Sequence, residues 1–190
     1  TDTIRLIQNR IRTISALKVA VKPENGMNEV DDLQKLVEQS FWIFGEEYNI
    51  VTQAEPDFNQ ALMEYLDKLY DTVPGISKSN YSKDKIEHPD VNKEMDIFAF
   101  RQNIQSSTID NIVVELKHPT VKLGEKELSQ VKTYMNVIMR DSRFNASNMR
   151  WKFFLVGNDF DSSNYLHNEM RNAINWGKKN LVCHVDNNGI

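Results

Sequence analysis

Two apolar stretches of this chain carry charged residues where a buried strand would exclude them. Residues 112–117 read Ile-Val-Val-Glu-Leu-Lys, and residues 95–100 read Met-Asp-Ile-Phe-Ala-Phe. An unpaired charge in a buried strand is costly, so such groups must pair with each other or bind a metal ion. The residue types therefore indicate carboxylate and ammonium chemistry at Asp96, Glu115 and Lys117.

The spacing of these residues predicts that they meet. Residues 101–108 form a polar segment that suits a hairpin loop between the two runs. Antiparallel pairing of the two runs across this loop is predicted to set Asp96 opposite Glu115, with Cβ atoms about 4.5–5.5 Å apart. Side chains alternate along a strand, so Glu115 and Lys117 share one face while Val114 and Leu116 point into a core.

Two facing carboxylates beside an amine form a recognisable chemical set. Carboxylate oxygens suit Mg²⁺ or Mn²⁺, and a phosphate oxygen can complete the metal shell. The ion would activate water and polarise phosphorus, while Lys117 would stabilise negative charge. The pattern favours phosphodiester hydrolysis, with Asp96 and Glu115 as metal ligands.

A helix predicted over residues 124–140 follows the charged strand. Its apolar stripe consists of Leu128, Val131, Met135 and Ile138. On another part of the helix surface, Gln130 and Tyr134 stand four residues apart, and Lys126 lies one turn earlier. This helix can bring Gln130 over the metal site and offer Lys126 to a phosphate.

Taken together, these residues resemble the motif of the PD-(D/E)xK nuclease superfamily. The elements are Asp96, the Glu115-x-Lys117 strand, and a helix with Gln130 and Tyr134. The pattern is most similar to the Shedu-type anti-phage immune nucleases. Residues 33–45 also resemble the helix and turn before the nuclease strands of that group, so the likeness covers about residues 28–160.

The resemblance implies a restriction-endonuclease-like α/β fold and a Mg²⁺- or Mn²⁺-dependent DNA endonuclease of phage defence. By resemblance, Asp96 and Glu115 are metal ligands, Lys117 is the catalytic lysine and Gln130 is an auxiliary polar residue. DNA is the implied substrate. A homo-oligomer is also expected, since nucleases of this type commonly pair their active sites.

The chain departs from the family pattern at two points. Its Pro-Asp dipeptide ends at Asp90, too early and in a loop-like setting, so Asp96 is the preferred ligand and Asp90 a lesser one. Many members also use an acid from the first core helix. Both Glu29 and Glu38 are open for that role.

Composition sets limits on the remaining questions. With 190 residues, of which 40% are hydrophobic, one compact domain with a small helical appendage is expected. A net charge of -4 gives no global attraction for DNA, so binding must be local. The candidate basic patches are Lys78, Lys83 and Lys85; Lys122 and Lys126; and Arg140, Arg143, Arg150 and Lys152.

Further patterns give the domain plan. Residues 1–26 are predicted as an N-terminal helix and linker, and residues 27–190 as the nuclease-like domain. The chain is interpreted as a fragment of a longer protein, which would then carry further partner domains. Predicted helices cover residues 3–19, 29–41, 57–70, 124–140 and 166–176, and later strands cover 150–157 and 181–185. This order predicts a mixed sheet flanked by helices.

The first helix has a narrow stripe that suits packing on another helix or subunit: Ile4, Ile7, Ile11, Ile14 and Leu17.

Cellular context is less constrained by the sequence. The single cysteine, Cys183, excludes an intramolecular disulfide, and no signal peptide or membrane-spanning run is evident. A cytoplasmic protein is the default expectation.

Aspartates 159 and 161, which follow the predicted strand 150–157, are interpreted as turn formers and not as metal ligands. No histidine has the spacing of a zinc site, and His118, beside Lys117, is the one histidine to test for a role in the site.

Two alternatives compete with an active nuclease. A nuclease-fold module without turnover would bind DNA and leave it intact. A structural or oligomerisation domain would use Glu115 and Lys117 only as a packed ion pair.

Overall fold

The computed structural model describes most of the chain. Its described residues are 2–22, 33–51, 56–72, 86–103, 105–179 and 181–182. Within these residues the elements are α1 Asp2–Ala20, α2 Lys35–Gln39, β1 Asn49–Ile50, α3 Phe58–Thr72, β2 Ile97–Asn103, β3 Thr108–Leu116, β4 Lys122–Leu123, α4 Glu125–Arg140, β5 Met149–Val156, β6 Asp159–Phe160 and α5 Tyr165–Asn175. A single 3₁₀ turn, Phe41–Ile43, follows α2.

The sheet combines antiparallel and parallel pairing. Its order is β1-β2-β3-β5, in which β1/β2 and β2/β3 are antiparallel and β3/β5 is parallel. Strands β4 and β6 form a separate, parallel two-stranded sheet. The predicted α/β arrangement, a mixed sheet flanked by helices with a helix at its N-terminal side, is confirmed.

Each face of the main sheet supports its own core. On one face, Phe98 and Val113 pack in a cluster with Tyr65 of α3 and Tyr134 of α4. On the other face, Ile97, Ala99, Ile112, Val114 and Leu116 pack with Ala20 of α1, Val37 of α2 and Phe41. Period-two alternation along β2 and β3 divides their side chains between these cores.

The hairpin between β2 and β3 is tighter than the sequence predicted. The predicted loop of residues 101–108 is wrong in its length. Strand β2 continues to Asn103 and β3 begins at Thr108, so only residues 104–107 lie between them. Arg101 pairs with Asp110 across the ladder, and its Nε donates to Oδ2 at 3.0 Å. A cross-strand ion pair keeps polar residues in the sheet, and polarity alone had suggested a loop.

Several element boundaries agree with the predictions, and others differ. Helices α1, α3, α4 and α5 lie within two residues of the predicted bounds at each end. The predicted helix over 29–41 is described only from residue 33 and narrows to the short α2 and the 3₁₀ turn. In α4, Tyr134 is fully buried while Met135 is only half-buried, so Tyr134 and not Met135 belongs to the inward stripe.

Strand β5 differs from the expected buried strand. It pairs with β3 and forms one edge of the four-stranded sheet, with Arg150 and Lys152 exposed. The predicted last strand, residues 181–185, is not observed at 181–182, and its remainder, including Cys183, lies outside the described residues.

Candidate metal centre

The hairpin register brings the two predicted acids level. Ile97 pairs with Val114 at the end of the ladder, and one further step along both strands sets Asp96 beside Glu115. Paired residues share a face, so both side chains lie on the face of Phe98 and Val113. This register agrees with the pairing predicted from the sequence.

Glu115 lies at the centre of a hydrogen-bonded network. The Lys117 ammonium donates to Glu115 Oε1 at 2.6 Å and to Gln130 Oε1 at 2.9 Å. Gln130 Nε2 donates to the same Glu115 oxygen at 2.6 Å. The Glu115 side chain is 4% exposed and that of Lys117 is 15% exposed, so the ion pair is largely shielded from water. Three of the predicted site residues are therefore in direct contact.

Tyr134 completes this network from beneath. Its hydroxyl lies 2.6 Å from the carbonyl oxygen of Glu94 and 3.0 Å from Glu115 Oε2, so its single proton is shared between two acceptors. The hydroxyl also accepts a hydrogen bond from Gln130 Nε2 at 3.0 Å. Burial raises the pKa of Tyr134, and the Glu115 carboxylate raises it further, so the hydroxyl stays protonated. Both oxygens of Glu115 are thus held in place.

Asp96 is fixed where β2 begins. Its Oδ2 accepts a hydrogen bond from the backbone N–H of Leu116 at 2.5 Å, which ties the carboxylate to the end of β3. Its carbonyl oxygen accepts from Gln34 Nε2 at 3.0 Å, and the same amide donates to Glu38 Oε1 at 3.0 Å. Asp96 is therefore held against β3 and linked to α2 through Gln34.

Backbone contacts fix the strand end that carries Lys117 and the start of the helix that carries Gln130. The backbone N–H of Lys117 donates to the carbonyl oxygen of Val156 at 2.8 Å, which continues the β3/β5 pairing by one residue. Helix α4 begins after Gly124, whose N–H donates to Glu127 Oε2 at 3.0 Å. This hydrogen bond is half of a capping box and anchors the first turn before Gln130.

The remaining candidate residues, three acids and one histidine, do not contact Glu115 in the part of the chain that the structure describes. Asp90 lies in a turn and pairs with Lys93 at 3.0 Å. Glu38 contacts Gln34, and Glu29 lies outside the described residues. The His118 ring contacts Thr120 in the turn after β3. None of these contacts reaches the Glu115 carboxylate.

Asp161 behaves as the turn former that the sequence predicted, whereas Asp159 lies in strand β6, so its predicted place in a turn is wrong. Asp161 Oδ1 accepts from the backbone N–H and the hydroxyl of Ser163 at 3.1 and 2.6 Å. Asp159 accepts from the backbone N–H of Phe160 and lies 3.6 Å from the Lys122 ammonium. The Asp161 carboxylate also lies so close to Gly124 that a Cβ there would overlap it.

The predicted basic patches differ in how open they are. Lys122, Lys126, Arg140, Arg150 and Lys152 are exposed, whereas Arg143 is half-buried and bound to Asp141. Lys126 stands one turn before Gln130 on α4. Lys78, Lys83 and Lys85 lie outside the described residues. Among the described residues of these patches, Lys126 is an exposed cation on the same helix as Gln130.

A metal ion would have to be bound by the pair of acids and not by a larger cluster. Among the described residues, no three His, Cys, Asp or Glu side chains form a group that could hold a metal ion. The donor chemistry of Asp96 and Glu115 nevertheless fits Mg²⁺ or Mn²⁺, since both offer only oxygen and share one face. Glu115 Oε1 already binds one cation, the Lys117 ammonium.

Sequence reasoning placed Tyr134 beside Gln130 but missed its burial and its contact with Glu115. A tyrosine four residues after a site glutamine on an amphipathic helix was the available signal, because a buried hydroxyl needs a partner. The role of Gln34 carried no comparable signal. It depends on contacts across the fold with Asp96 and Glu38.

Comparisons with known proteins add no family to this description. In the described parts of the chain, no helix has the length and apolar character to cross a bilayer. No protein-family model, no curated protein and no solved structure matches the chain.

Proposed function

We propose that this chain is a metal-dependent DNA endonuclease that hydrolyses phosphodiester bonds, acting in anti-phage defence. The observation that carries the proposal is the contact of Lys117 with both Glu115 and Gln130 beside a second acid, Asp96. The defence role comes only from the resemblance to Shedu-type nucleases.

Each residue has a distinct task in this mechanism. Asp96 and Glu115 would hold Mg²⁺ or Mn²⁺, which supplies Lewis-acid chemistry and activation of water when bound. Lys117 stabilises negative charge that develops on the phosphate in the transition state. Gln130 positions the Lys117 ammonium, and Tyr134 fixes the second oxygen of Glu115. The side chains are thus oriented before substrate arrives, which reduces reorganisation during the reaction.

One observation favours a second candidate, a DNA-binding module without turnover. Both oxygens of Glu115 are hydrogen-bonded within the chain, and the carboxylate is almost fully buried. In that case the network would be structural, because a saturated buried carboxylate has no need of a metal ion. DNA retention on a gel without any cut product, with either metal, distinguishes this candidate from the first.

A plasmid cleavage assay tests the proposal. Supercoiled DNA incubated with the chain and Mn²⁺ or Mg²⁺ should be nicked or linearised, and a chelator should stop the reaction. Lys117→Met should abolish cleavage, since it keeps the side-chain length without the charge. The matched control is Lys179→Met, an exposed lysine that follows α5 and belongs to none of the candidate basic patches, which should cut like wild type. Equal loss in both variants, or cleavage that persists in Lys117→Met, would contradict the proposal.

A further inference from the structure

One oxygen of Glu115 is filled by groups of the chain itself. Its Oε1 accepts a hydrogen bond from the Lys117 ammonium at 2.6 Å and another from Gln130 Nε2 at 2.6 Å. A carboxylate oxygen has about two lone-pair positions, so these two donors occupy both. A divalent ion can therefore bind Oε1 only after one of the two donors has moved away.

The other oxygen, Oε2, faces the buried side of the network. It lies 3.0 Å from the hydroxyl of Tyr134, a fully buried residue whose ring packs on Phe58 with the ring centroids 5.0 Å apart. The Glu115 side chain is 4% exposed, whereas that of Lys117 is 15% exposed. The side of Lys117 is therefore the more open side of the network.

Of the two donors at Oε1, Lys117 is the one that can leave. Gln130 is held at both ends of its amide, because its Nε2 donates to Glu115 and to the Tyr134 hydroxyl while its Oε1 accepts from Lys117. The Lys117 ammonium ends a flexible four-carbon side chain and is a strongly hydrated point charge. An anion that reaches this side of the network can compete for it.

We propose that Lys117 closes the metal site in the DNA-free protein and that a backbone phosphate of DNA opens it by drawing the ammonium away from Glu115. This inference rests on the proposed function, since it takes Asp96 and Glu115 as the metal ligands. A phosphodiester suits the role because its charged oxygens accept strong hydrogen bonds from an ammonium. DNA and the divalent ion then bind cooperatively.

The exchange leaves every charge with a partner. Lys117 gives up a carboxylate and gains a phosphate, while Glu115 gives up an ammonium and gains a divalent cation. If only the metal ion arrives, the ammonium stays beside a second cation; if only DNA arrives, the buried Glu115 carboxylate loses its ammonium. Both of these states leave a charge uncompensated, which is costly in a site shielded from water. The arrangement therefore favours joint binding over either ligand alone.

The remainder of the site does not have to move. Asp96 Oδ2 accepts from the backbone N–H of Leu116, and the Asp96 carbonyl oxygen accepts from Gln34, so neither contact involves Lys117. The backbone N–H of Lys117 itself is fixed to the carbonyl oxygen of Val156 at 2.8 Å. Opening therefore requires a rotation of the Lys117 side chain and no displacement of β3.

Calorimetric titration of Mn²⁺ into the full chain, with and without a short DNA duplex, tests this coupling. The duplex carries phosphorothioate linkages to resist hydrolysis, Mn²⁺ bound by the duplex alone is subtracted, and fluorescence anisotropy verifies that each protein is saturated with DNA. In wild type, the duplex should raise the Mn²⁺ affinity at least about tenfold. In Lys117→Met, the affinity should already be high without DNA and change by less than about threefold on adding it.

Two further variants make the comparison independent of one substitution. Lys117→Gln keeps an N–H donor without the charge and should behave like Lys117→Met. The matched control is Lys132→Met, which removes an ammonium that binds Glu169 at 3.1 Å on the same helix as Gln130 and should keep the wild-type coupling. Circular dichroism verifies that each variant is folded.

The outcomes separate this inference from the proposed function. An equal effect of DNA on wild type and Lys117→Met would overturn the inference, because the phosphate would then act on the metal ion without Lys117. A wild-type Mn²⁺ affinity that DNA leaves unchanged, in a protein that still cuts plasmid, would also overturn the inference alone. Absence of Mn²⁺ binding in every protein, with and without DNA, would overturn the proposed function together with it.

Discussion

Two pairs of acidic residues lie at one edge of the sheet and have different surroundings. Strands β3 and β5 are parallel and end together, where Leu116 pairs with Val156. Glu115 lies at the end of β3 with Asp96 beside it at the start of β2, and Asp159 and Asp161 follow β5. Glu115 contacts side chains from α4 and is 4% exposed, whereas Asp159 contacts residues of β4 and β6 and is 62% exposed.

The difference lies in which elements supply the partners. The second pair forms mostly local contacts, such as Asp161 with Ser163, that any turn of this kind provides. The first pair is bound by groups that approach from other elements, such as Gln130. Contacts from several elements distinguish a candidate site from a turn, although the sequence shows two acids at close spacing in both places.

The largest expected effect is on cleavage. Asp96→Asn with Glu115→Gln should lower the cleavage rate at least about 10³-fold, because both proposed metal ligands lose their charge. Asp159→Asn with Asp161→Asn should leave the rate within about twofold, since neither residue has a role in the chemistry. Initial rates on plasmid with Mn²⁺ measure both. Similar losses in the two double variants would remove the distinction between the pairs.

The next effect is on stability. Glu115→Ala should lower the free energy of unfolding by about 3 kcal/mol, because it leaves the Lys117 ammonium and the Tyr134 hydroxyl without their buried partner. Asp159→Ala should change it by less than about 0.5 kcal/mol, as expected for an exposed ion pair. Urea unfolding followed by circular dichroism provides the comparison. An unfolding energy for Glu115→Ala within error of wild type would mean that Glu115 is not held as described.

Replacing Lys117 should change the affinity for a divalent metal ion and the cleavage activity in opposite directions. The Lys117 ammonium occupies Glu115 Oε1, so it competes with any divalent ion for that oxygen. Lys117→Met should therefore bind Mn²⁺ about tenfold more tightly, while cleavage is lost. Calorimetric titration measures the affinity, with Lys132→Met as a control on the same helix as Gln130. Weaker binding by Lys117→Met would exclude the competition.

The smallest expected effect is the pH dependence of stability that arises from Tyr65, a buried tyrosine in the same core as Phe98 and Val113. Burial raises the pKa of Tyr65 above its ordinary value of 10.0. The folded chain therefore keeps a proton that the unfolded chain loses above about pH 10, so the stability falls as pH rises beyond that value. Tyr65→Phe should make this alkaline decline less steep. Thermal melts between about pH 8 and 11 test it, and an unchanged slope would contradict the assignment to Tyr65.

Much of the fold was predictable because the signals are local. The α4 helix was predicted to within one residue, since the apolar periodicity on which the prediction rests acts within a few turns. The pairing of Asp96 with Glu115 was also predicted, but it follows from the observed turn over residues 104–107, since symmetry about residues 101–108 would set Asp96 opposite Val113. The hairpin loop was predicted too long because the Arg101 pair with Asp110 appears only when the strands meet.

The remaining features depend on tertiary contacts. The small sheet of β4 and β6 has two residues in each strand, too few for a periodic signal. The Tyr134 side chain points into the core because its hydroxyl finds two acceptors there, the Glu94 carbonyl oxygen and the Glu115 carboxylate. These two acceptors come from separate parts of the chain. The sequence could therefore nominate the site residues, but the partners that orient them required the fold.

The backbone contact between Lys117 and Val156 has a consequence for the order of assembly. Val156 ends β5 and lies well downstream of Lys117, so a growing chain on the ribosome cannot form this contact until β5 has been synthesised. Parallel strand pairs form late because they close a long loop. Under the proposed function, incomplete chains would be harmless to the DNA of their own cell, and truncation before residue 149 would give a product without cutting activity.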